Sequence, residues 1–161
     1  MLTPPALQNL TDVMKMMAET ERLIAELYRA CAQIWVEDRD FWLETVAAEE
    51  RHADNIETMA GIMAARPERF ELGRSFNPMA IKTIKTGLEG NLERLKKGDI
   101  SREKMLNLAR DIEASVIEKS YNEIVRTKDL EFQALVIEIV SETVSHRKQF
   151  EDRVRALKAG R

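Results

Sequence analysis

Apolar residues recur every three to four positions along four long stretches of the chain. This spacing places the apolar side chains on one face of an α-helix and leaves the other faces polar. The stretches cover roughly residues 5–36, 40–66, 101–127 and 129–158. Only a few residues separate the first stretch from the second and the third from the fourth. Each of these pairs is therefore expected to form an antiparallel helical hairpin.

The connection between the two hairpins, residues 67–100, is much longer than the other two joints. Within it, Asn77 suits a helix cap, Pro78 the first helical position and Gly98 a helix stop. Apolar residues between them keep the helical spacing, which predicts a shorter fifth helix with one buried face. The chain is therefore predicted to be all-α: a ferritin-like antiparallel four-helix bundle with a long crossover that carries an extra short helix.

Composition and charge narrow the class of protein. The chain has 161 residues, and we expect residues 1–161 to form a single ferritin-like domain. Its net charge of −3 comes from interspersed acidic and basic residues, so nucleic acid is not an expected partner. No long apolar run and no signal-peptide pattern occurs, and the single cysteine, Cys31, excludes an internal disulfide. These features predict a cytoplasmic protein that does not interact with membranes.

Three ionisable residues fall on the apolar stripes of the first hairpin. In the first helix, Glu21 continues a line of apolar residues that recur in steps of three and four. In the second helix, Glu49 and His52 continue the equivalent line, whereas Glu50 and Arg51 do not. The side chains of Glu21, Glu49 and His52 are therefore expected to point into the core.

The second hairpin adds a glutamate and a histidine. Glu113 lies within the apolar face of the third helix, and His146 lies on the apolar stripe of the fourth. Glu123 also lies near the face of the third helix, whereas Glu118 lies almost opposite to it. Three spaced glutamates and both histidines of the chain are thus expected to point toward one core.

Several buried carboxylates need a compensating positive charge, and a bound cation supplies it. Glutamate oxygens and imidazole nitrogens together suit iron, manganese or zinc, so one or two such ions per chain are expected. A single inward Glu or His is more often structural, with its head reaching solvent or a core hydrogen bond. The matched spacings favour metal as the joint explanation, because 31 residues separate Glu21 from His52 and 33 separate Glu113 from His146.

At these residues the chain resembles the rubrerythrin branch of the ferritin-like superfamily, over essentially all four long helices. The segment ETERLIAELY is similar to the family's first-helix glutamate and following tyrosine, here Glu21 and Tyr28. The segment EERHA resembles the family's Glu-x-x-His, here Glu49 and His52, and DIEASVIEKSY resembles a repeat of the first-helix motif with Glu113 as ligand. The resemblance implies a carboxylate-bridged di-iron site that reduces peroxide or dioxygen, or handles iron, in a protein that forms a homodimer.

The fourth helix departs from the family pattern. Its segment SETVSHRKQ places Glu142 four residues before His146 instead of three, and Thr143 takes the position where the family has a glutamate. In a regular helix, Glu142 is rotated by about 100° from that position. A π-bulge would bring Glu142 onto the inward face as a metal ligand. Without one, the site would lose a carboxylate and be mononuclear or asymmetric.

Two further points leave the function open. With a single cysteine the chain has no rubredoxin-type iron centre, so redox activity would need an external electron donor. Tyr28 is expected either to orient a ligand carboxylate or to be a core aromatic residue. The competing hypothesis is a helical scaffold or dimerisation module with a degraded or mononuclear metal site, and the shifted motif in the fourth helix favours it.

Overall fold

The computed structural model describes residues 1–74, 77–118 and 121–160, with only the backbone described at residues 116–118 and 122. The helices are α1 (Pro4–Ile34), α2 (Arg39–Ala65), α3 (Pro78–Lys96), α4 (Arg102–Glu118), α5 (Tyr121–Ile124) and α6 (Leu130–Ala159). The strands are β1 (Phe70–Leu72) and β2 (Val125–Thr127), and 3₁₀ turns occupy Val36–Asp38 and Pro67–Arg69. The prediction of an all-α fold is confirmed, apart from one short pair of strands.

The helix in the long connection begins and ends as its sequence predicts. Asn77 caps α3 by accepting a hydrogen bond from the backbone N–H of Met79 at 3.0 Å. Pro78 takes the first helical position, where the missing N–H leaves no helical hydrogen bond unmade. After the helix, Gly98 adopts a φ of 76°, a conformation that glycine reaches more easily than other residues. The predicted helix in the long connection is therefore confirmed, although α3, with 19 residues, is not shorter than α4, with 17.

The long helices pack as two hairpins that meet through α2 and α6. Helix α1 packs along α2, α4 packs along α6, and α2 contacts α6. Helix α3, which lies in the long connection, packs against α1. None of the helices in the described ranges combines the length and the apolar character needed to cross a bilayer.

Buried apolar side chains form two clusters, one toward each end of the long helices. Along α1, the buried members of the first cluster end at Ala18 and those of the second begin at Ile24. Along α2 the order is reversed, because the second cluster ends at Val46 and the first begins at Ala53. This reversal shows that α1 and α2 run antiparallel. Between the two clusters, at the level of residues 19–23 of α1 and 47–52 of α2, neither cluster has a member from the described residues of these two helices, apart from the partly buried Leu23.

The third predicted helix, residues 101–127, is wrong at its C-terminal end. Residues 119–120 lie outside the described part of the chain, and after α5 the chain continues as β2. Strand β2 pairs antiparallel with β1, so that Thr127 lies opposite Phe70. Val125 and Thr127 are β-branched and favour an extended backbone. The apolar spacing did not predict this pairing, because a strand pair forms between segments that are distant in the sequence, and periodicity describes only one segment at a time.

Gly73 follows β1 at a point where the chain passes very close to α5. Its backbone N–H donates to the carbonyl oxygen of Ile124 at 3.0 Å. A Cβ atom at this position would collide with the carbonyl oxygen of Glu123. The close approach of the two backbones therefore depends on the absence of a side chain at Gly73.

We predict that Gly73→Ala lowers the free energy of unfolding by about 1–3 kcal/mol, because the backbone must move to relieve the overlap. Gly87→Ala is the matched control, since Gly87 lies on an exposed face of α3 with open space around it. This control should raise the free energy of unfolding by about 0.5–1 kcal/mol. Urea denaturation measures both changes. A Gly73→Ala protein as stable as the wild type would contradict the close approach.

Candidate metal centre

Five ionisable side chains occupy the level between the two apolar clusters. They come from all four long helices, namely Glu21 from α1, Glu49 and His52 from α2, Glu113 from α4 and His146 from α6. The three glutamates are at most 3% exposed, and the two histidines are 0% and 9% exposed. These are the five residues that the sequence pattern directs into the core, and the structure brings all five together.

Glu49 lies at the middle of this centre and faces a different histidine with each oxygen. Its Oε2 is 3.4 Å from His52 Nδ1, and its Oε1 is 3.3 Å from His146 Nδ1. Glu21, Glu49 and His52 form one set of donors, called here the His52 group. Glu49, Glu113 and His146 form a second set, the His146 group. In each group, one donor atom from every residue lies within 4.8 Å of the others.

Several polar atoms of the centre have no hydrogen-bond partner among the described residues. They are Glu21 Oε2, Glu49 Oε1, His52 Nδ1 and His146 Nδ1. In the described ranges, the ion pairs of the core glutamates are with the two histidines, and none is with an arginine or a lysine. Leaving a buried polar group unpaired costs roughly 1–3 kcal/mol. The centre therefore needs protons or a cation to balance it.

The metal-free centre concentrates its negative charge on Glu49. Burial acts to raise the pKa of Glu49, but the neighbouring His146, His52 and Glu21 outweigh it and lower that pKa below its ordinary range. Burial, followed by the charge of Glu49, raises the pKa values of Glu21 and Glu113 well above the ordinary range. These shifts favour the protonated forms of Glu21 and Glu113, and a bound cation would replace those protons.

Two buried tyrosines hold carboxyl groups of the opposite hairpin. Tyr28 of α1 donates to Glu113 Oε1 at 3.0 Å, and Tyr121 of α5 donates to Glu21 Oε1 at 3.4 Å. Burial, followed by the nearby carboxylate charges, raises the pKa of both tyrosine hydroxyls, so they stay protonated donors. Tyr28 thus contacts a carboxyl group of the centre. The sequence did not predict the contact of Tyr121, although its spacing from Glu113 is close to that of Tyr28 from Glu21.

Glu142 approaches the centre from outside the two donor groups. Helix α6 is a regular α-helix from Leu130 to Ala159, so the π-bulge considered for this helix is absent. Glu142 Oε2 lies 3.0 Å from His52 Nε2 and 3.1 Å from Arg51 Nη2. Glu142 therefore contacts the side of the His52 ring that faces away from Glu49.

Two other polar residues of this region, Thr143 and Glu123, do not join the donor groups. Thr143 is buried, and its hydroxyl donates to the backbone carbonyl of Ile139 at 2.8 Å. Glu123 is exposed, which corrects the expectation that it lies near the inward face. The side chain of Glu118 lies outside the described residues. Among the described residues, the second hairpin therefore contributes one carboxyl group, that of Glu113, to the donor groups.

A small cavity borders the centre on the side of α3. Its volume is about 50 Å³, and its walls are mainly apolar. Residues that line it include Met17, Glu21, Ile24, Ile81, Ile112 and Tyr121. The cavity gives a small molecule room beside the Glu21 carboxyl group.

No family model matches the chain, and comparisons with curated proteins and with solved structures find no match either. The resemblance to rubrerythrins therefore stays a prediction from the sequence motifs. Any functional conclusion depends on the geometry of the centre itself.

The pH dependence of stability tests the protonation of the centre. Because the pKa values of Glu21 and Glu113 are raised in the folded protein, the unfolded chain releases these two protons first. Their stabilising contribution is complete below the ordinary glutamate pKa of about 4.3 and is lost as the pH rises through the folded-state values. Burial acts to lower the pKa of His52, but the Glu49 and Glu142 carboxylates raise it overall, which adds to the same trend.

We therefore predict that the metal-free protein loses stability as the pH rises above about 4.3, by at most about 1.4 kcal/mol per pH unit for each carboxyl group. Urea denaturation in the presence of EDTA measures this slope. Glu21→Gln keeps a neutral hydrogen-bonding side chain, so its slope should be shallower than that of the wild type. Equal slopes for the two proteins would show that Glu21 is ionised when folded.

Proposed function

We propose that this protein binds two transition-metal ions, with iron the expected metal, at the centre of a ferritin-like four-helix bundle. One ion would bind at the His52 group, the other at the His146 group, and Glu49 would bridge them. The position of Glu49 carries this proposal. Its two oxygens face Nδ1 of two different histidines, and neither nitrogen has a hydrogen-bond partner among the described residues.

The donor atoms support this choice of metal. Each position would offer two carboxyl groups and one imidazole, a mixture of oxygen and nitrogen donors that suits iron, and also manganese or zinc. Three protein residues at each position leave coordination places open for water or for a small reactant. Binding requires ionised carboxylates and neutral imidazoles, so it would release the protons held by Glu21 and Glu113.

The proposed chemistry is reduction of dioxygen or peroxide, or iron handling. A bound pair of ferrous ions supplies the electrons, one from each ion. Tyr28 would orient the carboxyl group of Glu113, and Tyr121 that of Glu21. The two apolar clusters would limit the access of water to the centre. The cavity beside Glu21 gives a small reactant room. Repeated turnover would need an external electron donor, because the chain has one cysteine and no second iron centre of the rubredoxin type.

The second candidate is a helical scaffold or dimerisation module with a degraded site. Thr143 supports this alternative, because it occupies the position where a glutamate ligand is expected. Its hydroxyl donates a hydrogen bond to the backbone of its own helix. The raised pKa values of Glu21 and Glu113 also allow protons alone to balance the centre. The two candidates therefore differ in what neutralises the same buried groups.

Metal stoichiometry tests the bridging role of Glu49. We expect about two Fe²⁺ or Co²⁺ ions per chain for the wild type under anaerobic titration, since the structure offers two donor groups. Glu113→Gln should reduce this number to one, because it removes a donor of the His146 group alone. Glu49→Ala should reduce it to none, because both groups lose a donor. Glu123→Gln, which changes an exposed glutamate, is the control. No binding by the wild type would favour the scaffold.

An apolar replacement of the ligand pair separates the two candidate functions by stability. In EDTA, the double variant Glu49→Leu, His52→Phe should be at least as stable as the wild type, because it removes buried polar groups. With Zn²⁺ added at about 100 times the dissociation constant, only the wild type should gain stability, by about 2.7 kcal/mol for one site. Thermal and urea unfolding measure both effects. Equal responses of the two proteins to Zn²⁺ would contradict metal binding at Glu49 and His52.

A further inference from the structure

The His52 ring has a carboxylate facing each of its two nitrogens. Glu142 Oε2 lies 3.0 Å from Nε2 in hydrogen-bonding geometry, whereas Glu49 Oε2 lies 3.4 Å from Nδ1, which has no hydrogen bond. An ionised carboxylate only accepts hydrogen bonds, so a neutral His52 gains most when its proton is on Nε2. The lone pair of Nδ1 then points toward Glu49, in the state that a metal ion requires.

Glu142 is itself held in place on the outer side of the ring. Arg51 Nη2 lies 3.1 Å from the same Oε2 atom, and the Glu142 side chain is 28% exposed. Glu142 is therefore an acceptor whose position is set by α2 as well as by its own helix.

Within the described part of the chain, His146 lacks a counterpart to this contact. Glu142 lies four residues before His146 on α6, and the residue four before His52 on α2 is Ala48, which is buried and has no polar side-chain atom. The carboxyl groups that the structure places near His146, from Glu49 and Glu113, are 3.3 Å and 3.9 Å from its Nδ1, and the ionised group, Glu49, attracts a proton on this nitrogen. A neutral His146 therefore gains most by keeping its proton on Nδ1, and the proton must leave this nitrogen before a metal ion binds.

We propose that Glu142 is a positioning residue that makes the two metal positions unequal, so that the His52 group fills before the His146 group. This inference rests on the proposed metal-binding function. Glu142 holds the Nε2 proton of His52 and thereby prepares Nδ1 for the first ion. The His146 ring must first change its tautomer, which weakens the binding of the second ion.

The tautomers can be observed without any metal. Long-range ¹H–¹⁵N NMR of the EDTA-treated protein, at a pH where both rings are neutral, distinguishes a proton on Nε2 from one on Nδ1. The chain has only two histidines, so the spectrum contains two ring systems, and His146→Phe assigns them. We expect Nε2–H for His52 and Nδ1–H for His146 in the wild type. Glu142→Ala should move the His52 proton to Nδ1, whereas Glu142→Gln, which keeps an acceptor oxygen, should move it less.

Metal titration then tests the filling order. Wild-type protein titrated with Co²⁺ should bind in two steps, and Glu142→Ala should weaken the first step by about 10–100-fold without changing the number of ions. Glu138→Ala removes an exposed glutamate one turn earlier on α6 and should leave both steps unchanged. Two equal steps in the wild type, or an unchanged first step and an unchanged His52 tautomer in Glu142→Ala, would overturn the inference while leaving metal binding intact. No binding of Co²⁺ or Fe²⁺ by the wild type would overturn the proposed function together with the filling order.

Discussion

The buried charge of Glu49 is the constraint on which the centre of this protein depends. A carboxylate in a dry interior is stable only beside positive charge or proton donors. Glu49 is 1% exposed, and two apolar clusters separate it from the ends of the bundle. His52 and His146 face its two oxygens, and burial, followed by the charge of Glu49, raises the pKa values of Glu21 and Glu113. The groups around Glu49 thus respond to a single buried negative charge.

This constraint also connects the two hairpins. Tyr28 reaches Glu113, and Tyr121 reaches Glu21, so each hairpin supplies a hydroxyl to a carboxyl group of the other. Glu142 of α6 also reaches across to the other hairpin, where it contacts His52 of α2. None of these hydrogen bonds exists within one hairpin alone. Docking of the hairpins and assembly of the centre therefore stabilise each other, and the apolar clusters above and below provide the remaining contact area.

The same geometry can hold either protons or metal ions, and this explains why the two candidate functions share one structure. In the metal-free state, protons on Glu21 and Glu113 satisfy groups that would otherwise repel Glu49. In the proposed function, a divalent cation would offer a larger compensating charge at each donor group and would displace those protons. In that proposal, the shared position of Glu49 favours two linked cations over one, since a single cation in either group would leave Nδ1 of the other group's histidine without a hydrogen-bond partner among the described residues.

Sequence periodicity was sufficient to predict the long helices and the inward direction of Glu21, Glu49, His52, Glu113 and His146. The direction of a helical side chain is a local property, because it follows from about 100° of rotation per residue. Contacts between segments that are distant in the chain depended on the tertiary structure. The pairing of β1 with β2 replaced the end of a predicted helix because each strand needs the other for its hydrogen bonds. The contact of Glu142 with His52 likewise depends on how α6 lies against α2, since a long side chain reached another helix without the π-bulge that helix geometry alone required.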